Sequence, residues 1–290
     1  MLTYHRPATL QEALAIRAEC DVTVLAGGTD VYPAKAARSA WGDMRHQDVL
    51  DISRLGELRG IADAGWHWRI GALTTWSELI VAELPALFDG LKLAAREVGG
   101  AQIQNRGTIA GNLCTGSPAG DGQPNLLALD AQIELMSASA RRRVPVREFL
   151  VGYRQTACRA DEIVTAILAP KPSSVNVRSH FLKLGARRYL VISIAMVAGL
   201  VEIGTDGRIA KTRLAVGACS AVPERLLALE TALVGAAPSA AADMVTAEHL
   251  AHLTPIDDIR ASARYRRHAA LTLVRDLLAQ IAATFEPRVA

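Results

Sequence analysis

Two glycine-centred segments carry the polar atoms best suited to hold a phosphorylated ligand. The first, Val24-Leu-Ala-Gly-Gly-Thr-Asp-Val31, runs from an apolar stretch into a diglycine turn. Glycine admits positive φ and close backbone approach, so successive amides can converge on an anion, with the Thr29 hydroxyl as a further donor. A diglycine after a strand also serves as a plain tight turn. The second segment, Gln104 to Gln123, interleaves Gly107, Gly111, Gly116, Gly120 and Gly122 with Thr108, Asn112, Thr115, Ser117 and Asp121. Polar stretches of this length inside an apolar domain concentrate binding groups, a structural loop being the alternative. Neither segment has the G-x4-G-K-[ST] or G-x-G-x-x-G spacing, so the pattern points to a dinucleotide without a Rossmann turn.

The elements around these segments follow from patterning. Thr9 and Glu12 make a capping box that opens a helix with Leu10, Ala13, Leu14 and Ile16 on one face. The run Val22–Ala26 reads as the strand feeding the diglycine turn, with further strands at Asp48–Ile52 and Trp68–Gly71. A second capping box, Thr75 and Glu78, starts a helix ending near Pro85, and another helix spans Leu91–Val98. Strands are predicted at Leu126–Leu135, Arg143–Pro145 and Glu162–Ala169. Pro170-Lys-Pro-Ser-Ser174 breaks both regular structures and marks the main boundary. Beyond it, His180–Leu184, the run Tyr189–Val201 and Arg213–Ala218 read as strands of an antiparallel sheet, with a turn at Thr205-Asp-Gly207. The alanine-rich remainder from Pro223 is predicted helical. The expected domains are 1–172, with subdomains of about 1–55 and 56–172, and 175–290.

Composition narrows the function classes. Half of the 290 residues are hydrophobic and the formal charge is only +3, which suits a packed globular protein and lacks the basic stripe of a nucleic-acid binder. Tyr189–Val201 is too short to cross a bilayer and is rich in β-branched residues, and the N-terminus has no signal-peptide core, so a cytoplasmic location without a membrane span is expected. Cys20, Cys114, Cys158 and Cys219 show no C-x2-C or C-x4-C spacing, so neither an iron–sulfur cluster nor a structural zinc has its local ligands. His249 and His252 can share a helical face, but two imidazoles alone do not make a metal site, and none is expected.

In order, AGGTD (26–30), QIQNRGTIAGN (102–112), SPAGD (117–121), DEIVTAILAP (161–170), FLKLGARR (181–188), GACSAVPERL (217–226) and YRRHAALTLVRDLL (265–278) resemble the FAD-binding medium subunits of the molybdenum hydroxylase family, of the xanthine dehydrogenase and carbon monoxide dehydrogenase type. The resemblance runs over nearly the whole chain, and RGTIAGN followed by SPAGD is its most specific part. It implies an α+β protein: a two-subdomain FAD-binding fold of the vanillyl-alcohol oxidase and p-cresol methylhydroxylase type, then a small C-terminal α+β domain with an antiparallel sheet and helices.

Carried over residue by residue, the resemblance implies non-covalent FAD with its pyrophosphate at Leu25, Ala26, Gly27, Gly28, Thr29, Asp30 and Val31. A second phosphate-side loop would be Thr108, Ile109, Ala110, Gly111 and Asn112. Val98 corresponds to an apolar flavin contact, Asp121 to a carboxylate near the adenosine ribose, Val164 to an adenine-side contact and Lys183 to a lysine near the flavin. Each has an ordinary structural use as well: core packing for the valines, a turn cap for Asp121, a solvated strand end for Lys183. The implied partners are an iron–sulfur subunit and a large molybdenum-cofactor subunit in a heterotrimer or its dimer. The chain would be inactive on substrate alone and would pass electrons from the clusters to an acceptor such as NAD. Many members place an acidic residue after the pair equivalent to Arg187-Arg188. This chain has Tyr189 there, which leaves a quinone, a cytochrome or oxygen open as acceptor. Two other classes remain at this point: a self-sufficient flavin oxidoreductase, and a non-catalytic assembly protein that has lost FAD.

Overall fold

The computed structural model describes residues 3–40 and 47–285; the parts of the expected domains at 1–2, 41–46 and 286–290 lie outside them. Near the N-terminus, Val22–Leu25 and Asp48–Asp51 pair in parallel, with Tyr4–His5 on the far side of Asp48–Asp51. Parallel neighbours need a crossover, and the helix Val31–Ala40 supplies it. The first helix, Leu10–Glu19, presses Leu10, Ala13 and Leu14 onto Val22, Leu50 and Ile52. Its cap is half as expected: Thr9 accepts from the Glu12 amide, while the Glu12 carboxylate takes the amide of Ala8. The Thr75–Glu78 capping box is complete and opens a helix that ends at Val81, before Pro85.

A five-stranded antiparallel sheet follows, ordered Ile61–Asp63, His67–Gly71, Ile163–Pro170, Gln132–Met136 and Arg141–Pro145. Its core holds Trp76, Phe88, Ile109, Leu113, Ile133 and Phe149. The third sheet pairs Val177–Leu184, Ala195–Ile203, Ile209–Gly217 and Glu224–Arg225, all antiparallel. The helix Ala263–Ala283 buries Ala270, Val274, Leu277 and Ile281 on it at helical spacing. The approach is close at Gly199, where an added Cβ would sit 2.5 Å from the Leu277 side chain.

Several predicted elements change. Leu126–Leu135 is not one strand: Gly122–Ala128 is a helix, Asp130 turns with φ +54°, and the strand is Gln132–Met136. A short buried helix and a buried strand share the same unbroken apolar run, so patterning could not separate them. The strand in Tyr189–Val201 begins only at Ala195, because Leu184 pairs with Ala195 and the chain must reverse between them. Tyr189, Leu190 and Ile192 are exposed on that reversal. The stretch 99–122 contains the helices Ala101–Gln104 and Ile109–Thr115. After Pro223 the helices are Leu227–Ala232 and Ala263–Ala283, with a strand at Glu224–Arg225 and turns and short 3-10 segments over much of the rest. The Thr205–Gly207 turn stands, Gly207 having φ +75°. Among the described residues no helix is long and apolar enough to cross a membrane.

A buried ionic network ties the last helix to the sheet. Arg266 is 1% exposed; it donates to the carbonyls of Ile194 (2.6 Å) and Ala218 (3.1 Å) and to Asp258 (2.7 Å). Arg260 also clamps Asp258 and donates to the Ser193 carbonyl at 3.2 Å. The Arg260 hydrogen bond, with help from Arg266, holds the Asp258 carboxyl well below the usual range. A carboxyl depressed in the folded state stabilises above its unfolded pKa of about 4, and that contribution disappears as pH falls. Thermal melts between pH 7 and 2 should therefore show falling stability in acid. Asp258→Asn should be destabilised by roughly 1–3 kcal/mol at pH 7 and show a shallower acid limb; an unchanged limb would remove Asp258 from this role.

Candidate functional site

The strand Val22–Leu25 ends at the diglycine turn, at the carboxyl edge of the small parallel sheet where the crossover helix departs, a location that favours ligand binding in such sheets. Gly28 has φ +78°, which a side chain would strain. Gly27 packs directly on the second segment: a Cβ there would lie 1.9 Å from the Arg106 carbonyl oxygen. The second segment is fixed by backbone bonds, Trp76 N–H to Gly107 O at 3.2 Å and Ile109 N–H to Thr74 O at 3.1 Å. The Thr108 hydroxyl then caps the helix Ile109–Thr115 by accepting from the Gly111 amide at 2.9 Å, and Gly116 ends that helix with φ +58°.

Two cavities meet along this junction. One of about 430 Å³ is lined by Ala26, Gly27, Gly28, Thr29, Asp30, Val31, Val98, Thr108, Gly111 and Asn112. The other, about 330 Å³, shares Ala26, Thr108 and Gly111 and adds Ala110 and Val164. The structure thus brings most of the predicted residues to one cleft. Leu25 and Ile109 are buried behind it, forming its floor rather than its lining.

The donor chemistry suits a dinucleotide. The amides of Gly27, Gly28, Thr29 and Asp30 donate to no acceptor among the described residues, leaving a run of N–H groups at the cleft, as a pyrophosphate requires. On the acceptor side, Oδ1 of Asn112 is buried without a partner among the described residues. Two joined lobes, with these amides on the wall of the larger one, fit FAD, whose two ring systems flank a pyrophosphate.

Asp121 and Lys183 lie elsewhere and meet each other. Lys183 Nζ is 2.6 Å from Asp121 Oδ2, with both side chains almost fully buried. Ser193 donates its hydroxyl to Asp121 Oδ1 at 2.6 Å. Burial pushes the Asp121 carboxyl up, opposed by Lys183 and Ser193. Lys183 also donates to the carbonyl of Glu97 at 3.4 Å, next to Val98, and Lys183 and Glu97 line a separate cavity of about 370 Å³ with Gly185 and Arg187. Sequence reasoning missed Arg17, Trp76, Cys114 and Cys158, which line the cleft. Only Trp76 had a local signal, following the Thr75 cap. The two histidines are used separately: His249 accepts from the Thr246 amide, and His252 faces Glu224. Among the described residues no group of three or more His, Cys, Asp or Glu is placed to hold a metal ion.

Comparison with known proteins agrees with this architecture. Residues 1–172 match the family described as the FAD binding domain in molybdopterin dehydrogenase, and residues 180–281 match the CO dehydrogenase flavoprotein C-terminal domain. The xanthine dehydrogenase FAD-binding subunit of Escherichia coli O157:H7 is 31% identical over 97% of this chain and 96% of its own. The nicotinate dehydrogenase FAD-subunit of Eubacterium barkeri is 32% identical over 96% and 95%. Among solved structures, reconstituted CO dehydrogenase from Oligotropha carboxidovorans superposes with a TM-score of 0.90 at 27% identity, covering 98% of both chains. Over both matched domains and almost its full length, the chain belongs to the family of FAD-binding subunits of the molybdenum hydroxylases.

Proposed function

We propose that this chain holds FAD non-covalently across the diglycine turn, in a complex with an iron–sulfur subunit and a large molybdenum-cofactor subunit. The observation that carries this reading is the pair of cavities meeting over Ala26, Thr108 and Gly111, with the amides of Gly27 to Asp30, which have no acceptor among the described residues, on the wall of the larger one. Bound there, FAD supplies electron exchange between one-electron clusters on a partner and an external acceptor such as NAD. Residues 1–172 would hold the cofactor, and residues 175–290 would cover its Val98 side.

The chain's own contribution is placement and electrostatics. Backbone amides from Ala26 to Asp30 receive the pyrophosphate, braced by Leu25 and Val31. Thr108, Ala110, Gly111 and Asn112 form the facing wall, with Ile109 anchoring it in the core. Val98 packs at the flavin end and Val164 at the adenine end. Lys183 sets a buried positive charge behind Val98, and Asp121 fixes its position from the other side. Substrate oxidation is assigned to the large partner, so the isolated chain should turn over no substrate.

Purification tests the reading. The chain alone should carry flavin absorbance, lose it as free FAD on acid precipitation, and co-purify with the two partners; a colourless chain, or substrate turnover by the chain alone, sinks it. Gly27→Ala should purify without flavin, because its Cβ forces the Arg106 carbonyl away. Full FAD occupancy in that variant counts against the cleft.

Lys183→Met removes the partner of a buried carboxylate and should cost about 3–5 kcal/mol in urea unfolding. Lys183→Met combined with Asp121→Asn should recover part of that loss. With Asp121→Asn alone as the third arm, a double-variant loss equal to the sum of the two single losses would show that the pair is not coupled.

A further inference from the structure

The smaller cavity contains a charged donor that the cofactor reading has not used. Arg17 lies in the last turn of the helix Leu10–Glu19, and its side chain forms part of the wall of the 330 Å³ cavity. Its Nη1 donates to the Val22 carbonyl at 2.6 Å, which anchors the side chain to the strand leading into the diglycine turn. Its Nε is buried and finds no acceptor among the described residues. That nitrogen is shielded from the cavity as well, so the guanidinium meets the cavity through its outer edge, where Nη2 makes no hydrogen bond to the described residues.

The rest of the wall offers no answer to that cation. Glu162, the carboxylate in the cavity, is taken: it accepts from Arg142 at 2.5 and 2.8 Å and from the Arg159 amide at 2.8 Å. Around them the lining is apolar or weakly polar, including Val22, Ile52, Ile163, Val164 and Cys158. Burial, together with the Glu162 carboxylate, pushes the Cys158 thiol up to about 11 against the smaller pull of Arg17. A flat, apolar-faced group with acceptors on its edge, joined to a negatively charged linker, matches such a wall.

We infer that Arg17 binds the adenylate half of FAD, donating from the outer edge of its guanidinium to an acceptor of that half, and so makes the site select the dinucleotide over FMN. The inference rests on the reading that FAD spans the diglycine turn. FMN ends before this cavity and would leave Arg17 as unmet as it is without ligand. Val22 is the hinge of the arrangement, since the same guanidinium grips the strand and faces the ligand.

The test titrates the full-length chain, freed of flavin, with FAD and FMN, following flavin fluorescence, with AMP as competitor. The wild type should prefer FAD, and AMP should displace FAD. Arg17→Met should weaken FAD by about tenfold or more while FMN changes by less than about twofold, and AMP should lose its effect. Arg17→Lys, which keeps the charge and can still reach the Val22 carbonyl, should fall between and serves if Arg17→Met does not fold. An unchanged FAD-to-FMN ratio in a natively folded variant overturns the assignment. So does an equal fall for both flavins, which would give Arg17 a purely structural role through Val22. A wild-type chain that binds FAD and FMN alike defeats the dinucleotide reading itself, and is told apart because it needs no variant.

Discussion

The cleft depends on one backbone-to-backbone contact. Gly27, at the end of the small parallel sheet, lies against the Arg106 carbonyl with no room for a Cβ, and Gly107 faces Thr29 from the other side. Two separate supports are brought to that point. The first turn is carried by a strand packed on the helix Leu10–Glu19, while the second is pinned to Thr74 and Trp76 beside the five-stranded sheet. Leu58, Leu73 and Ile163 belong to the same apolar cluster as Leu14 and Leu50, so the supports share a core behind the cleft. With the rear fixed by packing and the front by glycine backbone, the unpaired amides are held apart at a set spacing. Preorganised donors of this kind bind an anion without first having to be ordered.

The C-terminal domain contributes through charge. From Arg266 the network runs to Asp258, Arg260 and the Ser193 carbonyl, and the Ser193 hydroxyl passes it to Asp121 and Lys183. Such groups are costly to bury and hold only when their partners are in place. Here the boundary is crossed at Asp121, which comes from the glycine-rich stretch and meets Lys183 and Ser193 of the C-terminal domain, while Asp258, Arg260 and Arg266 brace Ser193 from within that domain. The direct bond from the Ala218 amide to the Pro118 carbonyl, 3.0 Å, joins the same two regions. The network therefore registers the two domains against each other at the Val98 end of the cleft.

The two ends of the cleft are built differently as a result. At the Val164 end, Glu162 is neutralised by Arg142 and Arg17 lines the wall, so the wall presents net positive character to whatever enters. Near the Val98 end the lysine is already paired with Asp121. The asymmetry suits a ligand whose halves differ, one small and acceptor-rich and the other larger and redox-active.

Local signals in the sequence determined a good part of this. The capping threonines Thr9 and Thr75, the glycines at 27, 28, 107 and 111 and the Asp-Gly turn at 206–207 encode their geometry within a few residues, and so most elements and the two glycine-centred segments that meet at the cleft were legible. Leu126–Leu135 and Tyr189–Val201 were not, because an apolar run says that a segment is buried without saying whether it is helix or strand, or where a neighbouring strand makes it begin. The tertiary structure alone decided the pairing of Asp121 with Lys183, sixty-two positions away, and the placing of Arg17 on the cavity wall. Those facts depend on which distant surfaces close on one another and shut out water. Neither carries a local pattern, since the same aspartate could cap a turn and the same arginine could end a helix in solvent.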